Sequence, residues 1–349
     1  MQETGRTHHA GSQLDNGVLE VPGARLYYES VGSGPPLLMI PGGNGTAHIF
    51  GPIAQRLAER FTVITYDRRG FARSVLDGAQ DYGRRLETDA DDALALIERV
   101  AGAPATVFGP SSGAVVALQV ITQGPGAIDK LVAFEPPAMK QLVNGPQMLA
   151  LLDEVYDLYK RSGAPPALER FNTRLFPRET IEHFARLRDL SLPGVRAAVA
   201  YWFEHELRQY CAVDLDLDTL KARAGRIAVA AGQGSRGYPL HALSATLAAK
   251  LGRPAAELPG AHTGRRVRDR APRPARRGRR QVVTAAYVSS SKSVRCQRSG
   301  SFTRSLVPSA APTAIMRLLS RSEKPRSTSA SRSHAAPRYR IERLVAPVR

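Results

Sequence analysis

The sequence predicts an α/β fold: a mostly parallel, doubly wound sheet whose one edge is covered by a helical cap. Three observations carry this. Short unbroken apolar runs alternate with helical patterns over the first half of the chain. A stretch with helical pattern only, residues 138–223, then interrupts them. A strand, a helix and a short strand follow before the pattern ends near Thr263.

Each element has its own signal. Residues 18–29 alternate apolar and polar side chains, as a strand or hairpin does, and a turn follows at Gly32–Pro36. Leu37, Leu38, Met39 and Ile40 form a continuous apolar run, the mark of a strand buried on both faces, which stops at Pro41-Gly42-Gly43-Asn44-Gly45. Residues 50–60 have helical spacing, and a second buried strand at 61–66 ends in Asp67-Arg68-Arg69-Gly70. A helix at 88–101, a strand at 105–108, a helix at 112–122 and a strand at 131–134, closed by Glu135-Pro136-Pro137, continue the alternation. Strands and helices spaced in this way imply parallel strands joined by right-handed crossovers. Within 138–223 helices are expected at 148–160, 167–175, 180–187 and 195–210. A strand at 227–231, a helix at 243–251 and a strand at 256–258 complete the core. The implied organisation is a polar segment at 1–17, a core at 18–137 and 224–263, a cap at 138–223 and a basic tail at 264–349. The cap is expected over the carboxyl edge of the sheet, where open α/β sheets bind ligands.

Charge divides the chain sharply. The whole carries +18, but residues 264–349 hold 22 Lys and Arg against 3 Asp and Glu, while residues 1–263 hold 27 against 28. A near-neutral globular part therefore precedes a cationic tail. No run approaches the ~20 apolar residues of a membrane span. The polar N-terminus lacks the apolar core of a secretory signal, and two cysteines, Cys211 and Cys296, cannot build a disulfide framework or metal cluster. These features predict a cytoplasmic protein.

The chemistry-bearing segment is Gly109-Pro110-Ser111-Ser112-Gly113, which follows one strand and opens a helix. This is G-x-S-x-G in the required strand–turn–helix setting. A serine on so sharp a turn needs glycines two residues away on either side. Ser111 alone satisfies that spacing, since Ser112 would be flanked by Pro110 and Ala114. A serine hydroxyl needs a base and an oxyanion site. His262 lies just past the last strand, on the same sheet edge, and is the expected base. The N–H groups of Gly43 and Ser112 are the expected oxyanion donors. Trp202 and Phe203, with Tyr201 and Tyr210, fall on one expected cap helix, where they either line an apolar acyl pocket or pack cap against core.

Ile40-Pro41-Gly42-Gly43, the run from Asp67 through Arg68-Arg69-Gly70-Phe71-Ala72-Arg73 to Ser74, the Ser111 turn and Pro259-Gly260-Ala261-His262 together resemble a capped α/β-hydrolase, similar to the esterase, lactonase and perhydrolase group. The resemblance implies a Ser–His–acid triad, an acyl-enzyme, a small ester, thioester or lactone as substrate, and no metal or organic cofactor. A serine at this position argues against epoxide hydrolase or haloalkane dehalogenase chemistry, which in this fold uses an aspartate there. Asp67 and Arg68 are expected to brace their turn rather than touch substrate. The sequence departs from the family twice. Pro41-Gly42 stands where His-Gly is usual, and no Asp or Glu occurs from Thr219 to Ala256, where the acid is usual. Glu135, at the end of the preceding strand, is the remaining candidate acid. A cofactor-free perhydrolase on the same triad is the alternative enzyme.

Residues 265–280 hold nine Arg and two Pro without any period, and 289–337 are Ser/Arg-rich. Such composition cannot bury enough apolar surface to order itself. A nucleic-acid-binding tail, a solvated appendage and a sequence read out of frame are the three readings. The abrupt change just after His262, where a closing amphipathic helix is expected, favours the third. A non-catalytic protein whose basic tail binds nucleic acid through phosphate contacts is the reading from another class.

Overall fold

A computed structural model describes residues 14–262 of the chain. The first thirteen residues of the polar N-terminal segment, and the basic tail with its three readings, lie outside the described residues.

The alternating segment at the start folds as a hairpin of β1 (Asp15–Val21) and β2 (Ala24–Val31). The apolar runs become β3 (Pro36–Met39), β4 (Thr62–Tyr66), β6 (Ala105–Pro110), β7 (Ile128–Phe134) and β8 (Ile227–Gly232), with β5 (Val75–Leu76) a two-residue addition beside β2 and β9 (Ala256–Leu258) at the far edge. Strand order is β1-β2-β4-β3-β6-β7-β8-β9, parallel from β4 to β9 and antiparallel at the β1/β2 end. From β3 the chain moves outward to β4, then returns past β3 to β6. The direction of winding therefore reverses between β3 and β6. At such a switch point two strand-end loops part and leave a crevice, here between the loop after Met39 and the turn after Pro110.

Helices α2 (Arg85–Leu96), α3 (Ser112–Gln123) and α10 (Pro239–Lys250) pack on one face, where Ala90, Ala93, Val116, Val120, Leu247 and their neighbours are buried against β3, β6, β7 and β8. α1 (Gly51–Leu57) covers β3 and β4 on the other face through Ala54 and Leu57, with Phe50 just before it. Between β7 and β8 lie α4 (Gly145–Ser162), α5 (Ala164–Leu175), α6 (Arg178–Leu187), α7 (Pro193–His205), α8 (Leu207–Cys211) and α9 (Leu217–Ala222). α4, α5, α7 and α8 share a core of their own that includes Leu152, Phe171, Trp202 and Phe203.

The single helix expected at 195–210 is two helices. It breaks at Glu206, whose backbone leaves helical geometry (φ −129°, ψ −48°) while its side chain turns inward and is almost fully buried. The carboxylate accepts from Arg68 at 2.5 Å and from Arg85 at 3.1 Å. Val199, Trp202, Phe203, Leu207 and Tyr210 keep one helical apolar spacing on both sides of this point, so periodicity alone carries the helix through the break. Tyr210 consequently sits on α8, not beside Trp202, and gives its hydroxyl hydrogen to Asp89 at 2.6 Å.

Candidate active site

Ser111 occupies the sharp turn between β6 and α3. Its φ of 55° and ψ of −127° are costly for a residue with a Cβ, about 1–3 kcal/mol. The turn closes because the backbones on either side touch. A Cβ on Gly109 would stand 2.1 Å from the Gly113 carbonyl oxygen, and one on Gly113 would stand 2.3 Å from that of Ile40. The two flanking glycines are therefore steric requirements of the turn. Its amide donates to the Phe134 carbonyl at 2.9 Å, which ties the serine to the end of the neighbouring strand.

Glu135 follows directly after that strand end, and it too has a positive φ, 50°. Of the three non-glycine residues with positive φ among the described residues, Ser111, Glu135 and Ala72, two meet at this edge. The Glu135 side chain is buried. One oxygen accepts from the Gly232 N–H at 2.8 Å, and the other lies 2.6 Å from His262 Nδ1. Burial works to raise its pKa, but the His262 hydrogen bond and charge and the Gly232 N–H outweigh burial and hold the carboxyl below its ordinary value. With Nδ1 engaged by a carboxylate, Nε2 is the imidazole nitrogen left to take up or release a proton.

His262 is largely buried, with its ring 4.7 Å from that of Phe176 and 6.2 Å from that of Phe184. Phe176 also lines a cavity of about 20 Å3 that reaches Ser111 and Ser112 and is closed by Phe171, Trp202, Cys211 and Leu240. The wall is apolar, and burial there pushes the Cys211 thiol up to about 12, so it remains a neutral thiol. Trp202 contributes to the wall. Phe203, the next residue on α7, faces about 100° away and stacks on Tyr159 at 4.4 Å inside the helical insertion.

Gly43 and Ser112 stand on the two loops of the switch-point crevice. Neither N–H donates to an acceptor within the described residues. Ser112 is the first residue of α3, where unpaired N–H groups and the helix dipole favour negative charge. A Cβ on Gly42 would lie 3.4 Å from Ser111 Cβ, and one on Gly43 2.6 Å from Trp202 Nε1. The loop is thus pressed between the serine turn and α7.

What orders this loop was only half visible in sequence. Asp67 braces its turn as expected, accepting from the Ala47 N–H at 2.8 Å and from Arg73 Nε at 2.6 Å. Arg68 does more. Fully buried, it donates to the Gly42 carbonyl at 3.1 Å, to Asp89 of α2 at 2.7 Å and to Glu206 at 2.5 Å. One guanidinium thereby joins the loop, the sheet-packed helix α2 and the break between α7 and α8. The Asp67-Arg68 motif signals the arginine, but nothing in the spacing points to Glu206. Phe176 and Phe184 likewise carry no sequence signal beyond helix-edge apolarity. Among the described residues no group of three or more His, Cys, Asp or Glu is placed to hold a metal ion, and no helix is long and apolar enough to cross a membrane.

Comparison with known proteins shows the class to which this sheet and its strand-end turns belong. A family model described as alpha/beta hydrolase fold matches residues 35–193. Uncharacterized hydrolase YraK of Bacillus subtilis is 35% identical over 255 residues, spanning 72% of this chain and 90% of that protein. Serine hydrolase BPHL of Homo sapiens is 30% identical over 127 residues, 36% of this chain and 44% of its own. Among solved structures, the enol-lactonase from Burkholderia xenovorans superposes with a TM-score of 0.55 at 19% identity, over 71% of this chain and 93% of that one. The chain belongs to the α/β-hydrolase family, and it is a hydrolase of that fold.

Proposed function

We propose that the protein is a serine hydrolase that cleaves a small, partly apolar carboxylic ester, thioester or lactone through an acyl-enzyme. The observation that carries this reading is the strained Ser111 turn at the edge where Glu135 and His262 pair at 2.6 Å. Ser111 Oγ attacks the carbonyl carbon while His262 Nε2 takes its proton. Glu135 holds the imidazole in the tautomer with hydrogen on Nδ1 and stabilises the imidazolium. The negative oxygen of the tetrahedral intermediate is received by the N–H groups of Gly43 and Ser112. Collapse expels the alcohol, thiol or, in a lactone, the tethered hydroxyl, which takes the proton back from His262. Water, deprotonated by the same nitrogen, then attacks the acyl-enzyme and releases the acid and Ser111.

Residues 138–223 act as the cap. Their side chains Phe171, Phe176 and Trp202 close over Ser111, and a cavity of about 20 Å3 holds little more than one water. Substrate entry therefore requires the cap to shift, with α6 the easiest part to move, because Thr180 is its only fully buried residue. The names of relatives fit this chemistry: one is a serine hydrolase and another, from Bionectria ochroleuca, a zearalenone hydrolase.

Fluorophosphonate labelling of the full-length protein, with the adduct located by peptide mass, tests the reading. One adduct on Ser111, absent in Ser111→Ala and reduced at least about 100-fold in rate in His262→Ala, is expected. A folded protein that takes no adduct would overturn it.

A further inference from the structure

Four arginines near this edge are buried, wholly or in part, and three of them are paired. Arg68 bonds Asp89 and Glu206, Arg69 holds Asp92 through two hydrogen bonds of 2.7 and 2.6 Å, and Arg85 bonds Glu206. The fourth, Arg188, just past α6, has no carboxylate. Its side chain makes no hydrogen bond or ion pair with a described residue, and its Nη1 is buried without a partner. The adjacent acid, Asp189, is turned away and receives the N–H and hydroxyl of Ser191 at 2.9 and 2.6 Å. Burial alone lowers the Arg188 pKa, to about 10, so the guanidinium still carries its charge at neutral pH. Arg188 as a whole is half-buried, but a guanidinium nitrogen shut away from water without an acceptor is costly, and a bound anion would supply the missing partner.

The position of Arg188 suggests which ligand. Its guanidinium carbon stacks 4.3 Å above the ring of Phe184, whose edge meets His262 at 6.2 Å and Phe176 at 5.2 Å. Arg188 is thus one aromatic layer outside the imidazole, at the C-terminal end of α6. Bond lengths of ~1.5 Å per C–C link let a chain of a few carbons cross one such layer. We propose that Arg188 receives a substrate carboxylate, so that the preferred substrate is an acid ester: a monoester of a short dicarboxylic acid, or a lactone bearing a carboxylate. The planar guanidinium would hold the carboxylate by two parallel hydrogen bonds and leave the ester carbonyl facing Ser111. The stack on Phe184 fixes the fork in advance, so little rotamer freedom is lost on binding.

The inference rests on the Ser111 reading, and the test separates the two. Wild type, Arg188→Gln and Arg188→Lys are assayed as full-length chains on p-nitrophenyl hydrogen glutarate and on neutral p-nitrophenyl butyrate. Arg188→Gln should lower kcat/KM for the acid ester about 10- to 100-fold, mostly through KM, and leave the neutral ester within about threefold. Arg188→Lys should recover part of the loss. Independently of turnover, monomethyl glutarate should bind Ser111→Ala in calorimetry and not bind the Ser111→Ala/Arg188→Gln double variant. Equal loss on both esters, or a wild-type preference for the neutral ester, overturns the assignment of Arg188 and leaves the serine hydrolase standing. Monomethyl glutarate binding that needs Arg188, in a protein that takes no Ser111 adduct, upholds the anion site and sinks the hydrolytic mechanism.

Discussion

Glu135 and Glu206 are both buried carboxylates, one on a strand end and one at a helix break, and they are partnered in opposite ways. Glu206 lies between two guanidiniums, and with Arg68, Arg85 and Asp89 it forms a cluster of two positive and two negative groups. Every carboxylate there has a fixed cation, and the cluster spans three separate parts of the chain. Glu135 has a single imidazole and one backbone N–H. Its partner can change charge, and the backbone that presents it is strained. A cluster whose charges are already matched can only hold structure together. A carboxylate paired with a titratable group can also support chemistry, since the charge it faces appears and disappears during a reaction cycle.

Neutralising Glu135 without changing its shape should separate the two carboxylates most strongly. In Glu135→Gln the amide can still accept from Gly232, but its NH2 then faces His262 Nδ1. The favoured tautomer moves its hydrogen to Nε2, where it blocks proton uptake from Ser111. On the proposed mechanism kcat should fall about 10^3- to 10^4-fold, roughly 4–5.5 kcal/mol of barrier, while the urea midpoint moves little. Steady-state kinetics beside an unfolding curve checks both halves. If activity stays within tenfold of wild type, Glu135 is not the acid.

Arg68 should give the opposite pattern. Arg68→Met leaves Glu206 and Asp89 sharing Arg85, and it removes the donor to Gly42. Removing one member of a buried ionic cluster costs about 3–5 kcal/mol, measurable by urea unfolding. Changing Glu206 to Met in the same chain should restore part of that loss, because one cation, Arg85, then faces one carboxylate, Asp89, and the charges match again. Additive losses in the double variant would mean that the two side chains act independently, contrary to their 2.5 Å contact.

The same contrast explains what could be read from the sequence. The parallel strands were legible because a strand buried on both faces must be apolar throughout, as Leu37–Ile40 and Ala105–Phe108 are. Ser111 was legible because only glycine fits at 109 and 113. Glu135 emerged through the absence of any other acid between Thr219 and Ala256. The strand and serine signals are local, and the one for Glu135 is an elimination along the chain. The Arg68–Glu206 contact joins residues 138 positions apart and breaks a helix that local periodicity would continue. Trp202 and Phe203 look equivalent in sequence, yet the helix turns one toward Ser111 and the other toward Tyr159, and only the packing of α4 against α7 decides which. Arg188 shows nothing in sequence at all, since what marks it is a missing partner in three dimensions.

The smallest expected effect is on pH dependence, and it sharpens the distinction between the two carboxylates. Because Glu135 is held below its ordinary pKa in the folded state, folding favours its ionised form. Its contribution to stability is fully present above the ordinary carboxylate value and is lost as pH falls through that value toward the lower folded one. Wild-type stability should therefore decline with acid in a way that Glu135→Gln, which has no proton to take up at this position, does not share. Urea midpoints of the two proteins compared at pH 7 and pH 4 test this: the gap between them should narrow, or reverse in favour of the variant, at the lower pH. A gap that stays constant across that range would mean that Glu135 takes up its proton at the same pH folded and unfolded. The His262 contact would then contribute nothing to holding the carboxylate ionised, and the physical difference from Glu206 would rest on geometry alone.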